Sequence, residues 1–445
     1  MKWFLGALLL LGVALALDLG LLAYSMYALL GVMLVSRFLA RSWSENLSAS
    51  RECNRLSANV GETVAVVVNI DNKGALPIAW VLAEDMLPRS AVIYDPPNLR
   101  TIGKRLQLAM FQRRGRKTMY YQLECNRRGY YQIGPLVLET GDVFGLHRRY
   151  RVASDPHFLL VYPKVHPLAG FDIASRRPIG EVKMMYRLFE DPTRIAGVRR
   201  YETGDPLNRI NWRATARTGA LQSKVYEPST VAGVTVMLDF HQGSFDPKHE
   251  PYRSELAITA AASLANAVFE MGQQVGLVTN GRDAADRIRQ EGWDFDMRTR
   301  DAARAAASMA DASDRLRPLV VETRRGPDQF MRILETLARA ELTDGLTLSQ
   351  LVFETAPRLP RDATVVAIVT GVSDETAIAL GNLRRRGFAV TALVSIYEDR
   401  QYAHAAGKLL QEGIDARHLR DEESVSSVCR SHVLQAAPDV PQSVY

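Results

Sequence analysis

The residue best placed to do chemistry in this sequence is Asp239, which closely follows the apolar run VTVML. An apolar run of this length, bounded by turn residues, is typical of a buried strand. In an open α/β sheet, ligands bind outside the carboxyl ends of the strands. A carboxylate oxygen is a hard ligand that suits Mg²⁺. The position of Asp239 therefore suggests a metal or ligand site at a strand end.

The second candidate is the arginine-rich stretch RRYETGDPLNRINWRATARTGAL, residues 199–221. Asp205 followed by Pro206 is typical of a helix start, because the carboxylate can accept backbone N–H bonds and proline has no N–H to leave unpaired. Gly219 suits the end of the helix. Over such a helix Arg209 and Arg213 share one face.

Two interpretations of this stretch remain open. In the first it is a structural joint, in which Trp212 and Ile210 pack on a sheet and the arginines pair with nearby acids. In the second, Arg209 and Arg213 form a docking patch, since guanidinium groups bind carboxylates and phosphates in a bidentate manner. We expect the joint, with exposed arginines that also dock a partner.

The common catalytic signatures are absent from the sequence: it has no phosphate-binding loop, no dinucleotide fingerprint, no His-Glu-x-x-His and no Gly-x-Ser-x-Gly. Cys429 and His432 follow the last predicted strand, and we interpret them as a chance pair. We predict that the protein is not an enzyme; an enzyme with an unrecognised site around Asp239 and His241 is the alternative. Nucleic-acid binding needs basic residues interleaved with aromatic ones on one surface. Only residues 199–217 approach that pattern, and the two interpretations above explain them more simply, so we expect no nucleic-acid partner.

Bulk properties set further limits. The chain has 445 residues, too many for one core, so at least two folded units are expected. Its formal net charge of +6 is compatible with an acidic partner or an anionic lipid surface. The three cysteines are odd in number and widely spaced, which favours neither a disulfide framework nor a zinc site. This use of cysteine indicates that the protein works in a reducing compartment.

The N-terminus is apolar in two runs that Asp18 separates. A signal peptide would be followed by polar sequence, and one long helix would bury Asp18 in mid-bilayer at high cost. A hairpin of two short transmembrane helices, residues 1–42, instead places Lys2, Arg37 and Arg41 on the same side. The positive-inside bias then puts the rest of the chain in the cytoplasm.

The soluble part changes its pattern along the chain. Short strands with turn residues predict a β-sandwich over residues 47–165. There ETVAVVVNIDNKG is expected to pair with PIAWVLAEDML, and RKTMYYQLECNRRGYYQIGPLVLETGD to form two strands joined by an Arg-Arg-Gly turn. Residues 166–230 form a junction that carries the arginine-rich stretch.

Strands alternate with helices over residues 231–435, before a tail at 436–445. The runs GVTVMLDF, QVGLVTN, ATVVAIVT and FAVTALVSI predict buried strands, with helical segments between them. This alternation predicts a doubly wound α/β domain with a mainly parallel sheet. The segment RTRDAARAAASMADASDRLR is expected to form a surface helix or a flexible insert.

The junction stretch resembles the signature of the bacterial domain-of-unknown-function fifty-eight family, Tyr-x-x-Gly-Asp-x-x-Arg-x-Ile-x-Trp. The upstream segment RRGYYQIGPLVLETGDVFGL and the paired apolar N-terminal helices are similar to that family too. The signature falls on Tyr201, Gly204, Asp205, Arg209, Ile210 and Trp212. The resemblance implies a membrane-anchored protein whose α/β domain is like von Willebrand factor type A.

A type A domain implies a magnesium site built from Asp-x-Ser-x-Ser, a loop threonine and a second aspartate. Here Asp239 is followed at the matching positions by His241 and Gly243, and Ser244 comes one residue late. Thr347 can serve as the loop threonine, but no aspartate stands at the expected place beside Thr370. We therefore predict a degenerate face without metal or other cofactor; an Mg²⁺-dependent adhesion module using Asp239, Ser244 and Thr347 is the alternative.

The function that follows is a membrane-anchored scaffold that binds another protein. The resemblance implies an AAA+ ATPase of the MoxR kind as the partner, in assembly, maturation or envelope stress. We expect the protein in the bacterial inner membrane, in contact with lipid through its N-terminal helices, with its soluble domains in the cytoplasm. The predicted docking residues are Asp239, Ser244, Thr347, Arg209 and Arg213.

Overall fold

The computed structural model describes residues 2–168, 195–201, 210–226, 233–291, 316–360 and 363–427. Its internal contacts divide the chain into two compact units. Met1–Tyr162 makes up most of the first, and Pro163–Gln290 with Ala310–Tyr445 makes up the second.

Two helices open the first unit, α1 (Lys2–Ala16) and α2 (Gly20–Asn46). Asp18, with φ of 57°, lies in the turn between them. The two helices contact each other, and their buried residues include Ala7 and Ala14 on α1 and Ala23 and Leu30 on α2. Small residues such as alanine are common where helix backbones approach closely. Among the described residues, α2 is the one helix long and apolar enough to cross a membrane, whereas the apolar part of α1 is shorter.

The end of α2 is part of the β-rich domain that follows. Ser36, Ala40 and Trp43 lie on one helical face and are buried, and Trp43 packs into the core of the strands. Arg151 Nη1 donates hydrogen bonds to the Ser44 and Glu45 carbonyl oxygens, at 3.0 and 2.7 Å. These bonds satisfy two of the carbonyls that a helix leaves unpaired at its C-terminus.

Eleven strands, all within the described residues 47–162, build the β-rich domain. Two four-stranded sheets, in the orders β1-β3-β7-β5 and β10-β9-β4-β6, share one apolar core, and β2, β11 and β8 form a third sheet. The domain also contains a one-turn helix, α3 (Arg89–Val92). The strands are β1 (Leu47–Cys53), β2 (Ser57–Asn59), β3 (Thr63–Asn72), β4 (Ile78–Asp85), β5 (Leu99–Gly103), β6 (Leu106–Phe111), β7 (Arg116–Cys125), β8 (Gly129–Ile133), β9 (Leu136–Gly141), β10 (Arg148–Ser154) and β11 (His157–Tyr162).

One pairing expected from the sequence is wrong, and one segment holds a strand more than expected. β3 does not pair with β4, because β3 lies between β1 and β7 in one sheet and β4 lies between β6 and β9 in the other. The segment after Arg116 holds three strands, and β7 and β8 belong to different sheets. Its chain crosses between sheets at Arg127–Arg128 instead of turning within one sheet. Alternation identified the strands, but it carries no information about which sheet each one joins.

A buried charge network crosses the core of this domain. Arg51 Nε donates to Asp85 Oδ2 at 2.9 Å, and a second guanidinium nitrogen contacts the other carboxylate oxygen. The Tyr121 hydroxyl donates to Asp85 Oδ2 at 2.7 Å. Gly134, with φ of +90°, lets Arg51 pass where a Cβ would collide with the guanidinium. Both charges are fully buried, so each depends on the other for stability.

The second unit contains an α/β domain with a mainly parallel six-stranded sheet in the order β17-β15-β14-β19-β20-β21. Four of its strands, β14, β15, β19 and β20, are the ones that the sequence predicts. β17 is antiparallel to β15 at one edge, and β21 is parallel to β20 at the other. The strands are β14 (Val234–Leu238), β15 (Val275–Thr279), β17 (Leu319–Arg324), β19 (Thr364–Val369), β20 (Ala389–Val394) and β21 (Asp415–His418).

Helices connect these strands, as the alternating pattern predicts. A small two-stranded ladder pairs β16 (Arg282–Asp283) with β18 (Ala340–Glu341). The predicted helix or insert at residues 298–317 lies almost entirely outside the described residues. The helices are α5 (Tyr252–Glu270), α6 (Ala284–Glu291), α7 (Pro327–Arg339), α8 (Leu348–Thr355), α9 (Asp374–Arg385), α10 (Asp399–Gln411) and α11 (Glu422–Ser427).

Candidate functional site

Asp239 lies immediately beyond the carboxyl end of β14, as predicted, but its carboxylate is engaged within the protein. The side chain is buried. Its Oδ1 accepts hydrogen bonds from the His241 backbone N–H at 3.2 Å and from Asn280 Nδ2 at 3.0 Å. Asn280 is the residue immediately after β15. Its hydrogen bond to Asp239 therefore joins the carboxyl ends of β14 and β15. Asp239 thus holds the loops at this edge of the sheet together.

Thr347 lies close to this network and begins a helix. Asn280 Nδ2 also donates to the Leu346 carbonyl oxygen at 2.8 Å, which ties the neighbouring loop to the strand end. The Thr347 hydroxyl accepts from the Gln350 N–H at 3.5 Å, and the Gln350 side chain accepts from the Thr347 N–H at 3.0 Å. This reciprocal pair is a capping box. The predicted metal ligand Thr347 is therefore the N-cap of α8.

Ser244 ends a one-turn 3-10 helix, Gln242–Ser244, in the loop that follows β14. Its carbonyl oxygen accepts a hydrogen bond from the Thr370 hydroxyl at 2.8 Å. Thr370 follows β19, the strand beside β14. The structure thus brings Asp239, Ser244 and Thr347 to the same end of the sheet, where they stabilise loop conformations.

The donor set at this edge does not fit Mg²⁺. Magnesium demands near-octahedral oxygen coordination, whereas Asp239 receives two N–H donors and the Thr347 hydroxyl caps a helix. His241 stands where a hydroxyl would be needed, and its Nδ1 accepts from the Gly243 N–H at 3.1 Å. Across the ranges that the structure describes, no group of three or more His, Cys, Asp or Glu side chains could hold a metal ion.

The arginine-rich stretch folds differently from the prediction. β12 (Ile195–Arg200) pairs antiparallel with β13 (Gln222–Tyr226), and helix α4 between them covers only Trp212–Thr218. Its N-cap is Asn211, whose side chain accepts from the Ala214 N–H at 3.2 Å. Gly219, with φ of 70°, ends the helix as predicted.

Because α4 begins at Trp212, the residues that share its faces differ from those predicted. Ile210 forms an isolated β-bridge with Ser223 and precedes the helix, so the predicted helical face that includes Ile210 is wrong. Arg213 and Arg217 remain four residues apart within α4. Tyr201 donates its backbone N–H to the Leu221 carbonyl at 2.9 Å. Gly204, Asp205 and Arg209, with the predicted start at Asp205–Pro206, lie outside the described residues.

The packing predicted for Trp212 is also wrong. Ile210 is 4% exposed, as expected of a core residue, but Trp212 is 68% exposed. The two residues lie on opposite sides of the helix start, because Ile210 is still in extended backbone while Trp212 is the first helical residue. Trp212 therefore lies with Arg213 and Arg217 on the outer surface of α4, where no residue is buried.

A cluster of aromatic and arginine side chains, not predicted from the sequence, lies at the carboxyl ends of the strands. Tyr397 follows β20, and the guanidinium carbons of Arg253 and Arg420 each lie 5.5 Å from its ring centroid. Arg253 also lies 5.7 Å from the ring of Tyr252. Arg253 is buried, which lowers its pKa despite the offsetting tyrosines and Asp421. Tyr252 and Tyr397 remain exposed. We call these four residues, Tyr252, Arg253, Tyr397 and Arg420, the Tyr–Arg cluster.

Two contacts fix the Tyr–Arg cluster. Arg253 Nη1 donates to the Arg420 carbonyl oxygen at 2.8 Å, which joins α5 to the loop after β21. The His249 ring lies 6.5 Å from the Tyr397 ring. The sequence does contain a signal for the cluster. Tyr397 comes three residues after the apolar strand β20, and the same kind of strand-end position identifies Asp239 as a candidate.

Comparisons with known proteins agree with the signature. Residues 197–294 match the model of a family described as a protein of unknown function, DUF58. A relative from Bacillus subtilis (strain 168), the uncharacterized protein YeaD, is 26% identical over 268 residues. That alignment covers 60% of this chain and 64% of YeaD, so this chain matches less than two thirds of the relative's length.

Two of the solved structures that resemble part of this chain cover about a quarter of it. A CARDB domain from Pyrococcus furiosus is 8% identical, with a TM-score of 0.18, over 26% of this chain and 91% of that one. A PapD-like domain of human CEP192 is 15% identical, with a TM-score of 0.17, over 25% of this chain and 82% of that one. TM-scores this low do not show a shared fold. The family match over residues 197–294 and the Bacillus subtilis relative support the resemblance to the DUF58 family over part of this chain.

Proposed function

We propose that this protein is a membrane-anchored scaffold whose soluble domains bind a protein partner in the cytoplasm. α1 and α2 form the anchor as a hairpin that turns at Asp18 and crosses the bacterial inner membrane twice. Lys2, Arg37 and Arg41 then lie on the cytoplasmic side, in accord with the positive-inside bias. Fifteen residues make α1 about 22 Å long against a hydrocarbon core of about 30 Å. The bilayer thins locally around this shorter span.

The α/β domain is the part that binds the partner. Its parallel sheet, with loops gathered at the carboxyl ends of the strands, supports a von Willebrand factor type A-like fold. The resemblance of the junction signature to its family points to a MoxR-type AAA+ ATPase as the partner. Such a scaffold would serve assembly, maturation or envelope stress.

One observation carries this proposal: exposed aromatic rings lie against arginines at the strand ends, where the polar side chains are occupied by internal bonds. Tyr252 and Tyr397 are exposed, and Arg253 and Arg420 lie within cation–π distance of a ring. Tyrosine and arginine are enriched among the residues that dominate binding energy in protein interfaces. Asp239 and Thr347 instead hold loops at the same end of the sheet in place.

The exposed side of α4 is a second part of the docking surface. Trp212 is exposed, with Arg213 and Arg217 on the same short helix. Large exposed apolar side chains with neighbouring charges are typical of protein contact sites. Arginine also suits a carboxylate-bearing partner, because it can form two parallel hydrogen bonds to one carboxylate.

The test is affinity isolation of the tagged full-length protein from cross-linked native membranes, with and without a chelator. We expect an AAA+ ATPase in both samples. The Tyr397→Ala variant should recover much less of it, and the matched control Leu410→Ala should recover the wild-type amount. Leu410 is exposed near the far end of α10, about 17 Å along the helix from its start beside Tyr397. Recovery only in the absence of chelator would favour the Mg²⁺-dependent adhesion module, and no ATPase in either sample would contradict the proposal.

A further inference from the structure

The turn between β9 and β10 presents three apolar side chains to the outside of the first unit. Val143 and Phe144 are each 64% exposed, and Leu146 is exposed as well. Single exposed apolar residues are common on soluble proteins. Three within four consecutive residues form a patch, and such patches mark surfaces that contact a protein or a membrane.

Hydrogen bonds hold this turn in one conformation. The buried Asp142 carboxylate accepts from the Phe144 N–H at 3.0 Å and from the His147 N–H at 2.6 Å. Trp80 Nε1 donates to the Asp142 carbonyl oxygen at 3.3 Å. Gly145 has φ of +73°, a conformation that favours glycine. The outward position of the apolar side chains is therefore built into the turn.

The turn lies beside α2 at the point where its apolar stretch meets charged residues. Burial alone would raise the pKa of Asp142, but hydrogen bonds from backbone N–H groups of the turn hold it below its usual value. α2 packs against β9 and β10, the strands on either side of this turn, and Ser36 on α2 is buried. On the same part of α2, Val35 and Phe38 are exposed apolar residues, and Arg37 begins the charged segment. The exposed apolar surface of the helix continues near the turn.

Basic residues surround this patch. Arg148 and Arg149 follow the turn directly and are exposed, and Arg37 and Arg41 lie on α2. Glu139 Oε1 lies 3.5 Å from Arg148 Nη1 and offsets part of the positive charge of these arginines. Anionic headgroups attract basic residues near a bilayer surface by about 1 kcal/mol each. Exposed apolar and aromatic side chains bordered by basic residues are typical of a surface that contacts the interfacial layer of a membrane.

We propose that Val143, Phe144 and Leu146 insert into the interfacial layer of an anionic bilayer, as a second membrane contact beside α2. This inference rests on the proposed membrane anchoring by α1 and α2. Its consequence is an orientation: α2 is embedded in the β-rich domain through Trp43, so a second contact with the bilayer restricts the tilt of that domain relative to the membrane.

The test uses full-length protein in vesicles of phosphatidylglycerol and phosphatidylcholine, with the native cysteines replaced by alanine. A nitroxide is attached in turn at Phe144→Cys, at Val143→Cys, at Leu29→Cys on α2 and at Leu108→Cys on edge strand β6. Leu108 is 67% exposed and apolar, which matches Phe144 in a different part of the domain. Electron paramagnetic resonance then compares relaxation by oxygen, which concentrates in lipid, with relaxation by a water-soluble nickel chelate.

We expect oxygen to dominate at Leu29, Phe144 and Val143, and the nickel chelate to dominate at Leu108. A water-like signal at both turn positions with a lipid-like signal at Leu29 would overturn the second contact and leave the anchor intact. A water-like signal at all four positions would overturn the anchor and this inference together. The second turn position keeps the test valid if one substitution disturbs folding.

Discussion

The Asn280 side chain donates a hydrogen bond to Asp239, with Nδ2 and Oδ1 3.0 Å apart. The same amide donates to the Leu346 carbonyl oxygen at 2.8 Å, and its oxygen accepts from the Phe240 N–H at 2.6 Å. One buried amide thus ties the ends of β14 and β15 to the loop before α8. The strand-end aspartate is part of this network, which holds the loops at that end of the sheet together.

Replacing Asn280 by alanine should therefore destabilise the α/β domain. The substitution leaves the Asp239 carboxylate and two backbone groups short of a partner, and each buried group left unsatisfied costs about 1–3 kcal/mol. The measurement is the free energy of unfolding from urea titration. Asn266→Ala is the matched control, because the Asn266 side chain bonds Glu270 on the surface of α5, and it should change stability by less than about 0.5 kcal/mol. Equal effects of the two substitutions would contradict the structural role of Asn280.

Magnesium should not stabilise the protein. A ligand that binds only the folded state raises the free energy of unfolding as its concentration exceeds its dissociation constant. Because Asp239 and Thr347 are occupied by internal bonds, we expect the same thermal midpoint in excess MgCl₂ and in chelator. An Mg²⁺-dependent rise in the midpoint that Asp239→Asn abolishes would support the adhesion module instead.

Ile210 and Trp212 should differ sharply when each is replaced by alanine. Ile210 is buried, so its truncation should cost about 2–5 kcal/mol. Trp212 is largely exposed, so its truncation should change stability by about 0.5 kcal/mol or less. Urea unfolding measures both values. Comparable losses would show that the Trp212 ring is packed, and would remove it from the docking surface.

The buried pair in the β-rich domain gives a separate prediction about stability. Asp85→Asn leaves the Arg51 guanidinium buried without its counter-charge, and breaking a buried pair in this way costs about 3–5 kcal/mol. Glu62→Gln removes the partner of Arg55 in an exposed pair with an Nη1–Oε2 distance of 2.9 Å. That substitution should cost less than about 1 kcal/mol. A similar small cost for both would mean that Asp85 and Arg51 are hydrated in solution.

Periodicity predicted the elements of this chain better than their arrangement. The central strands β14, β15, β19 and β20 are continuous apolar runs, because a sheet covered on both faces buries every residue. The edge strands β17 and β21 are partly exposed and contain charged residues, so they lack that signal. In the β-rich domain, partners for β3 and β4 depend on long-range packing that local alternation does not record.

In the candidate site, too, the position of a residue along the chain was easier to predict than its contacts with other loops. The strand-end rule located Asp239 from the amino-acid sequence alone, because the position depends only on where an apolar run stops. Asn280 and Tyr397 also follow strands. The hydrogen bonds of Asn280 and the cation–π contacts of Tyr397, however, form only when the strands lie side by side. The predicted packing of Trp212 on a sheet is wrong, because Trp212 is the first residue of the helix that Asn211 caps and its ring is exposed.

The most direct measurement of the central claim is site-specific photo-cross-linking in native membranes. A photoreactive phenylalanine analogue replaces Tyr397 in the Tyr–Arg cluster, and in a control it replaces Leu410; these residues are 56% and 61% exposed. The account predicts an adduct with an AAA+ ATPase at Tyr397 and none at Leu410. No ATPase adduct at Tyr397, or equal adducts at both positions, would contradict partner binding through the strand-end surface.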